Sequence, residues 1–246
     1  MEITKAPRRI ISLVPSQTEL LINLGVNVVG RTKFCIHPAN KVKNIPIIGG
    51  TKKFRFEKIS GLQPDLIIGN KEENYEAGIA QLKSEYLVWM SDIFSIKDAL
   101  EMIHQVSDIC QKREKGEELV RNVKDSLAQI KGQFSGNVLY LIWREPWMAV
   151  GRQTFVHDLL EHLGFENVIN DLRYPELTQT QITELNPDYI FLSSEPFPFK
   201  NKHLEEIQME WPSANCHLVD GEMFSWYGSR LLKIQEYFMN LKMELS

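Results

Sequence analysis

The chain of 246 residues fits one large domain or two lobes of roughly 100 residues each. Hydrophobic residues make up 43% and charged residues 24%, a balance typical of globular proteins that excludes extended disorder. The formal net charge of −4 excludes the strongly basic surface of a nucleic-acid-binding protein. We therefore expect no nucleic-acid partner.

The N-terminal segment and the apolar runs bear on where the protein acts. Residues 1–7 lack the apolar core of a secretory signal, and no apolar run approaches the roughly 18 residues that span a bilayer. We expect a protein that does not span the membrane and is cytoplasmic, or periplasmic if a leader peptide has been removed. The cysteines, Cys35, Cys110 and Cys216, are widely spaced and predict no disulfide framework.

The first part of the chain alternates short apolar runs with helical patterns, beginning with a buried strand at 9–14. Pro15 ends this strand, and a helix follows as far as Leu24. Ser16 and Glu19 have the spacing of a capping box, which makes Ser16 the predicted N-cap. Strands separated by helical patterns indicate a parallel sheet with crossover helices. The further strands predicted here are 28–30, 64–69 and 86–90.

Residues 95–134 carry apolar residues at helical spacing without a proline, which predicts a single helix of roughly 55 Å in which Gly116 makes a break or kink possible. Such a helix is too long for a crossover within one lobe, so we interpret it as a connection between lobes at 1–94 and 135–246. The elements predicted in the second lobe are strands at 137–142, 188–192 and 217–219, and helices at 157–163, 202–209 and 229–242. The predicted fold class is α/β, with two Rossmann-like lobes containing parallel sheets and joined by a single long helix.

The two halves of the chain share an internal repeat. The pattern I-x-x-L-x-P-D-x-I occurs at residues 59–67 and again at 182–190, an offset of 123 residues. In each copy a helix is expected to end before the proline, and a buried strand to begin after the aspartate. The repeat therefore predicts that the two lobes have similar folds.

The segments that follow the predicted strands are rich in aromatic and charged residues. Because parallel strands end at the same edge of a sheet, these segments are expected to gather ligand-contacting side chains. Three of the five tryptophans lie there beside arginine and glutamate, which indicates a flat, partly apolar ligand with polar edges. The candidate ligand-binding residues are Ser16, Phe34, Cys35, His37, Asn70, Trp143, Arg144, Trp147, Arg152, Phe197, Glu222, Trp226, Tyr227 and Arg230.

Arginine is the favoured side chain for gripping planar carboxylates or amides, and Arg144, Arg152 and Arg230 are the candidates for this role. Arg230 is the strongest of them, because it follows the aromatic stretch at 222–228. No nucleophile elbow, P-loop, dinucleotide-binding fingerprint or H-E-x-x-H motif occurs in the sequence. We therefore expect a protein that is not an enzyme.

Two stretches of the sequence resemble a known family. Residues 9–20 (RIISLVPSQTEL) and 62–67 (LQPDLI) resemble the opening of periplasmic substrate-binding proteins with a helical backbone, which serve ABC importers of vitamin B12, haem and ferric siderophores. Residues 150–168 resemble the start of the family's second lobe. The resemblance covers nearly the whole chain and is strongest for the B12-binding branch. It implies two lobes joined by one rigid helix, with the ligand in the cleft between them.

The resemblance also implies positions for the ligand and for a partner. The family's cleft positions match Phe34, Thr51, Asn70, Trp147, Glu222 and Arg230. Thr51 is a departure, because the B12 binder has a ligand-stacking tryptophan there, which leaves other corrinoids and chelates open. Glu57 matches the first of two glutamates that dock on the membrane permease. Thr180 occupies the second position, and Glu176 and Glu184 lie near it out of register.

We therefore predict a monomer that binds a corrinoid or metal chelate in an interlobe cleft, for ABC-type uptake or intracellular handling. No cofactor is required, and an ABC permease is the possible partner. One alternative is direct binding of a transition-metal ion by Cys35, His37 and a carboxylate, since thiolate and imidazole are ligands of such ions. The other is a cytoplasmic enzyme that acts on a corrinoid-like ligand.

Overall fold

The computed structural model describes residues 6–245 and divides them into two compact units. Unit 1 comprises the residues up to Ile93, together with Lys97–Lys124 and Tyr227–Leu232. Unit 2 comprises Phe94–Ile96, Asp125–Trp226 and the residues from Lys233 onward. None of the helices within residues 6–245 combines the length and the hydropathy that crossing a bilayer requires.

Unit 1 is built on a parallel sheet whose strands are apolar and buried. The strands of unit 1 are β1 (Ile10–Ser12), β2 (Val28–Arg31), β3 (Gly49–Gly50), β4 (Lys53–Phe54), β5 (Leu66–Asn70) and β6 (Val88–Ser91). The sheet has the order β2-β1-β5-β6, and all three pairings in it are parallel. Because β1 and β5 are buried along their whole length, each appears in the sequence as an apolar run without alternation. The antiparallel hairpin of β3 and β4 was not predicted.

The helices of the first half of the chain follow the predicted alternation. They are α1 (Pro15–Asn23), α2 (Ala39–Val42), α3 (Phe56–Leu62), α4 (Glu76–Glu85), α5 (Ile96–Ile109) and α6 (Arg113–Ile130). The N-cap of helix α1 lies two residues earlier than expected: it is Val14, in an extended conformation, and Pro15 is the first residue of the helix. Proline suits this position because its fixed φ is helical and no partner is needed for its nitrogen. The prediction of Ser16 as N-cap is therefore wrong.

The segment predicted as a single helix is two helices, α5 and α6. The helix breaks between Ile109 and Arg113, where Gln111 adopts a left-handed conformation with φ 53°. An ideal Cβ at Gly116 would lie 2.1 Å from the Ser107 Oγ. In a straight helix two positions nine residues apart would be separated by about 13 Å, so the chain turns sharply here and the first turn of α6 lies beside the last turn of α5. The expectation of a single helix over 95–134 is corrected accordingly.

Unit 2 contains a mixed sheet of six strands. They are β7 (Asn137–Trp143), β8 (Trp147–Ala149), β9 (Glu166–Asn167), β10 (Glu176–Leu177), β11 (Tyr189–Ser193) and β12 (Asn215–Val219). The order is β10-β8-β7-β11-β12, and β9 also pairs with β7. Strands β7, β9, β11 and β12 are parallel, whereas β8 and β10 are antiparallel edge additions.

The helices of the second half of the chain are α7 (Phe155–Leu163), α8 (Gln179–Leu185), α9 (Asn201–Glu210), α10 (Gly221–Ser225) and α11 (Ile234–Leu245). The helix predicted at 229–242 begins as a separate 3₁₀ helix at Ser229–Lys233, and α11 follows directly. Four aromatic rings surround Phe224 of α10 in the core of this unit. They are Tyr140, Phe191, Tyr237 and Phe238, with ring centres 4.9 to 6.2 Å from that of Phe224.

The internal repeat corresponds to an equivalent helix and strand in each unit. Helices α3 and α8, and strands β5 and β11, begin and end at residues separated by 123. The helices end on left-handed residues, Gln63 and Asn186, with φ 44° and 42°. The aspartate of each repeat copy also has the same structural role. Asp65 accepts a hydrogen bond from the backbone of Arg9, and Asp188 accepts one from the backbone of Asn137. Each carboxylate therefore fixes the start of the neighbouring strand, and the α/β fold class is confirmed.

Candidate functional site

The carboxyl edge of the unit 1 sheet brings three loops together. Phe34 follows β2, Thr51 lies in the turn of the β3–β4 hairpin, and Asn70 ends β5. The Lys52 Nζ donates a hydrogen bond to the carbonyl of Glu72 at 2.7 Å, and the Asn74 Nδ2 donates to the carbonyl of Thr51 at 3.2 Å. These bonds hold the hairpin turn against the loop that follows β5.

A groove of about 660 Å³ opens beside this hairpin, within unit 1. Its lining residues are Lys33, Phe34, Ile47, Gly49, Gly50, Thr51, Lys52, Lys53 and Arg55. Phe34 is 48% exposed, and the Lys33 Nζ lies 4.7 Å from the centre of its ring. An exposed aromatic ring in a concave surface is the arrangement that receives a flat apolar ligand. Of the predicted site residues, Phe34 and Thr51 lie in this groove.

The basic residues of the groove were missed by the sequence-based prediction. A signal for them exists, because residues 20–56 contain no aspartate or glutamate. The basic residues in this segment are Arg31, Lys33, Lys41, Lys43, Lys52, Lys53 and Arg55. Apart from the adjacent Lys52 and Lys53 they are dispersed along the chain, so a search for long basic runs does not find them.

Asn70 organises the loop after β5 instead of facing the groove. Its side chain is buried, and its Oδ1 accepts hydrogen bonds from the backbone nitrogens of Glu72 and Glu73 at 2.8 and 3.2 Å. Its Nδ2 donates to the Ser91 Oγ at 3.0 Å. Buried amides are stable only when their polar atoms are bonded in this way. Asn70 thereby holds the loop after β5, whose Glu72 carbonyl receives Lys52.

The carboxyl edge of the unit 2 sheet carries its own aromatic group. Trp143 ends β7 and is 39% exposed, and its ring lies 5.6 Å from that of Phe197, which follows β11. Trp147 is half-buried, with the guanidinium of Arg144 5.6 Å from the centre of its ring. Arg144 also forms an ion pair with Glu206 of α9. The structure therefore brings Trp143, Arg144, Trp147 and Phe197 together at this edge.

Glu222 and Arg152 lie at opposite edges of the unit 2 sheet. Glu222 is half-buried in the first turn of α10, after β12. Arg152 follows β8, whose antiparallel direction leads the chain away from the turn at 144–146, and its guanidinium bonds to Asn170. Antiparallel pairing thus separates Arg152 from the tryptophans, which adjacency in sequence did not reveal.

Comparison with known proteins identifies the family of this chain. The sequence matches the periplasmic binding protein family over residues 10–211. The chain belongs to that family. It is 24% identical to the vitamin B12-binding protein of Salmonella typhimurium over 216 residues, which cover 84% of this chain and 78% of that protein. It is 27% identical to YvrC of Bacillus subtilis, an uncharacterized ABC transporter substrate-binding lipoprotein. That alignment has 252 positions and covers 94% of this chain and 78% of the relative.

The fold of this periplasmic binding protein is also found among solved structures. The periplasmic vitamin B12 binding protein BtuF of Vibrio cholerae superposes with a TM-score of 0.82 and 20% identity, covering 97% of each chain. The predicted resemblance to the B12-binding branch is therefore confirmed for the family and the fold.

Arg230 of this periplasmic binding protein lies inside unit 1. It is 6% exposed, and its Nε donates to the Glu19 Oε2 at 2.9 Å. Glu19, which was predicted to complete a capping box, is instead the acidic partner of this buried ion pair. Buried charges require such pairing, so the observed contact of Arg230 is structural.

Tyr227 and Ser16 are buried in the same unit. Burial raises the pKa of the Tyr227 hydroxyl well above its ordinary value. This hydroxyl donates to the Glu73 Oε1 at 3.4 Å, and Ser16 is the second residue of α1. Both predicted site residues are therefore buried in unit 1 and do not line the groove.

The buried thiol of Cys35 is poorly suited to bind a metal ion together with His37. Cys35 is fully buried, its Sγ lies 3.1 Å from the Thr32 Oγ1, and burial raises the pKa of its thiol. A raised pKa opposes the thiolate form that binds metals. Within residues 6–245 no group of three or more histidine, cysteine, aspartate or glutamate side chains has a metal-binding arrangement. These observations do not favour the bare-ion alternative.

Trp226 is buried in unit 2 and bonded to an unusual carboxyl group. Its Nε1 donates to the Glu195 Oε1 at 2.8 Å, and the Ser225 Oγ donates to the same oxygen at 3.0 Å. Burial raises the pKa of Glu195 above its ordinary value of 4.5, and the two hydrogen bonds oppose this shift. Trp226 is only 6% exposed, and its indole nitrogen is a hydrogen-bond donor to Glu195.

Replacing Glu195 by glutamine should change how stability depends on pH. Because the folded carboxyl group holds its proton to a higher pH than the unfolded one, the free energy of unfolding should fall as the pH rises from 4.5 through the raised pKa. The Glu195→Gln variant cannot ionise there, and its Oε1 still accepts from Trp226. Urea unfolding between about pH 4 and about pH 8 should therefore show the variant gaining stability relative to wild type as the pH rises. A difference that is constant with pH would contradict this prediction.

Proposed function

We propose that this periplasmic binding protein binds a corrinoid or another metal chelate without transforming it. The observation that carries the proposal is the exposed Phe34 ring in the groove of unit 1, in a chain of this family. A flat macrocycle or an aromatic siderophore presents a face that an exposed ring can cover. The vitamin B12-binding relatives support a ligand of this class.

The aromatic group of unit 2 supports the same class of ligand. Trp143 is exposed, and Trp147 has the Arg144 guanidinium beside its ring. Rings next to a guanidinium suit a ligand that is apolar at its centre and polar at its periphery. We therefore assign ligand contact to Phe34 and Thr51 in unit 1 and to Trp143, Arg144 and Trp147 in unit 2. Placement of the ligand in a cleft between lobes stays a prediction.

We further propose that the partner is an ABC permease, which the name of the Bacillus subtilis relative supports. Glu57 is exposed in the first turn of α3, where a partner can reach its carboxylate. Thr180 occupies the equivalent exposed position in α8. A single acidic contact of this kind predicts a salt-sensitive interaction. The names of the relatives support the periplasmic location over the cytoplasmic one.

Titration of the purified protein with cobalamin, cobinamide, haemin and ferric siderophores tests the proposal. We expect saturable binding, micromolar or tighter, to at least one compound, measured by quenching of tryptophan fluorescence and by calorimetry. The Phe34→Ala variant should weaken that binding by about tenfold, which corresponds to loss of one well-packed aromatic contact of ~1.4 kcal/mol.

The control for Phe34 is Leu172→Ala, which removes a side chain that is 57% exposed and lies outside both aromatic sites. This variant should bind as wild type does. Absence of saturable binding across the whole set of compounds would refute the proposed function. Unchanged affinity in Phe34→Ala would instead remove the groove from the site.

A further inference from the structure

The groove of unit 1 is positively charged, although the protein as a whole carries a net charge of −4. Four of its nine lining residues are basic, and none is acidic. The four are Lys33, Lys52, Lys53 and Arg55, and all are exposed. Since they come from the loop after β2 and from the hairpin, the fold gathers charges that are up to 22 positions apart in the sequence.

None of the ion pairs within residues 6–245 joins a carboxylate to any of these four cations. The ion pairs of unit 1 use other residues: Lys71 with Asp92, Arg113 with Asp108, and Arg230 with Glu19. Lys52 donates to the Glu72 carbonyl, which orients its ammonium group without cancelling its charge. Like charges gathered in a concave surface raise the local potential and attract anions.

The groove also has an apolar wall and open space in front of it. Phe34 and Ile47 are 48% and 40% exposed. Gly50 has no side chain, and an ideal Cβ there would lie 3.4 Å from the Phe34 ring and 3.7 Å from the Lys33 Cε. The backbone at Gly50 therefore leaves room next to both the ring and the ammonium-bearing side chain.

We infer that the ligand is an anionic chelate whose peripheral carboxylates face Lys33, Lys52, Lys53 and Arg55 while its ring system covers Phe34. This inference rests on the proposed function and narrows it to one charge class. The amide oxygens of an uncharged chelate can accept hydrogen bonds from the four cations but do not neutralise their charge. A carboxylate, in contrast, forms charge-assisted hydrogen bonds with ammonium and guanidinium groups.

Corrinoids that share one macrocycle provide the test. Dicyanocobyrinic acid carries free carboxylates, dicyanocobinamide carries amides in their place, and cobalamin adds a phosphodiester to the amides. We expect the carboxylate form to bind about tenfold more tightly than cobinamide at low ionic strength, since several partly exposed charge pairs act together. This ratio should shrink as the ionic strength rises from about 0.01 M to about 1 M, because the screening length falls from about 30 Å to about 3 Å. Haemin and its dimethyl ester form a second pair of the same design.

Substitutions in the groove test whether its cations cause the preference for the carboxylate form. The double variant Lys33→Gln/Arg55→Gln should bind cobyrinic acid, or haemin, about tenfold more weakly and leave the affinity for the neutral partner of each pair unchanged. The matched control, Lys83→Gln/Lys124→Gln, removes two exposed lysines of unit 1 outside the groove and should behave as wild type.

The outcomes separate the inference from the proposed function. Equal affinity for charged and neutral forms, or an equal loss in the control variant, overturns the inference and leaves chelate binding standing. A preference for cobalamin over both other corrinoids assigns the cations to phosphate and overturns the carboxylate assignment. If no member of either pair binds, and the ferric siderophores do not bind either, the proposed function itself fails.

Discussion

Replacing Arg230 by alanine is expected to destabilise the protein by about 3–5 kcal/mol, because it leaves the Glu19 carboxylate buried without its cation. The two side chains are 7% and 5% exposed, and their bond of 2.9 Å joins α1 to the 3₁₀ helix at Ser229–Lys233, within unit 1. Urea unfolding at neutral pH, followed by circular dichroism, measures the change in the free energy of unfolding. A loss of this size is a large fraction of the stability of a typical protein.

Two further variants determine whether the effect of Arg230 comes from the buried pair. Arg113→Ala removes an exposed arginine that pairs with Asp108 and should cost less than about 1 kcal/mol. The double replacement Glu19→Leu/Arg230→Met should recover most of the stability lost in Arg230→Ala, because no buried charge remains. If Arg230→Ala is as stable as wild type while chelate binding is lost, Arg230 acts on the ligand and the structural assignment is wrong.

Replacing Phe224 by alanine is expected to cost about 3–5 kcal/mol of stability through loss of buried surface and formation of a cavity. Phe224 is fully buried, with its ring 5.0 Å from that of Tyr140 on the sheet and 4.9 Å from that of Phe238 on α11. It therefore holds α10 and α11 to the sheet of unit 2. The same urea unfolding experiment measures the loss.

The control for Phe224 is Met209→Ala, whose side chain is 76% exposed and whose loss should change stability by less than about 0.5 kcal/mol. Phe224→Leu should fall between the two, because leucine fills part of the cavity. A Phe224→Ala variant within about 1 kcal/mol of wild type would contradict the assignment of this ring to the core.

Much of the fold was predictable because its strands are buried and its repeat is regular. The apolar runs before Pro15 and after Pro64 each contain a strand of the unit 1 sheet. The break between α5 and α6 was missed because Gln111 takes a left-handed backbone without being glycine. Non-glycine residues rarely adopt that conformation, and the apolar spacing continues on both sides.

The candidate site was predictable only in part. Phe34 lies in the groove and Trp143 at the exposed edge, as their positions after strands predicted. Trp226, which has the same kind of position, is buried and bonded to Glu195. Sequence shows that a residue follows a strand, whereas the direction of its side chain depends on packing with distant residues. The basic groove was missed for a related reason, since its cations meet only when the hairpin folds.

The ion pair of Arg230 and Glu19 joins residues 211 positions apart, and this separation has a consequence for synthesis on the ribosome. Domains generally fold in order of emergence, from the N-terminus onward. Here the N-terminal unit waits for a segment translated after nearly all of unit 2, so an isolated fragment ending at residue 226 would contain Glu19 without its cation. A nascent chain therefore completes its first unit only after most of the second has been made, and a premature stop codon before residue 227 removes part of the half that was made first.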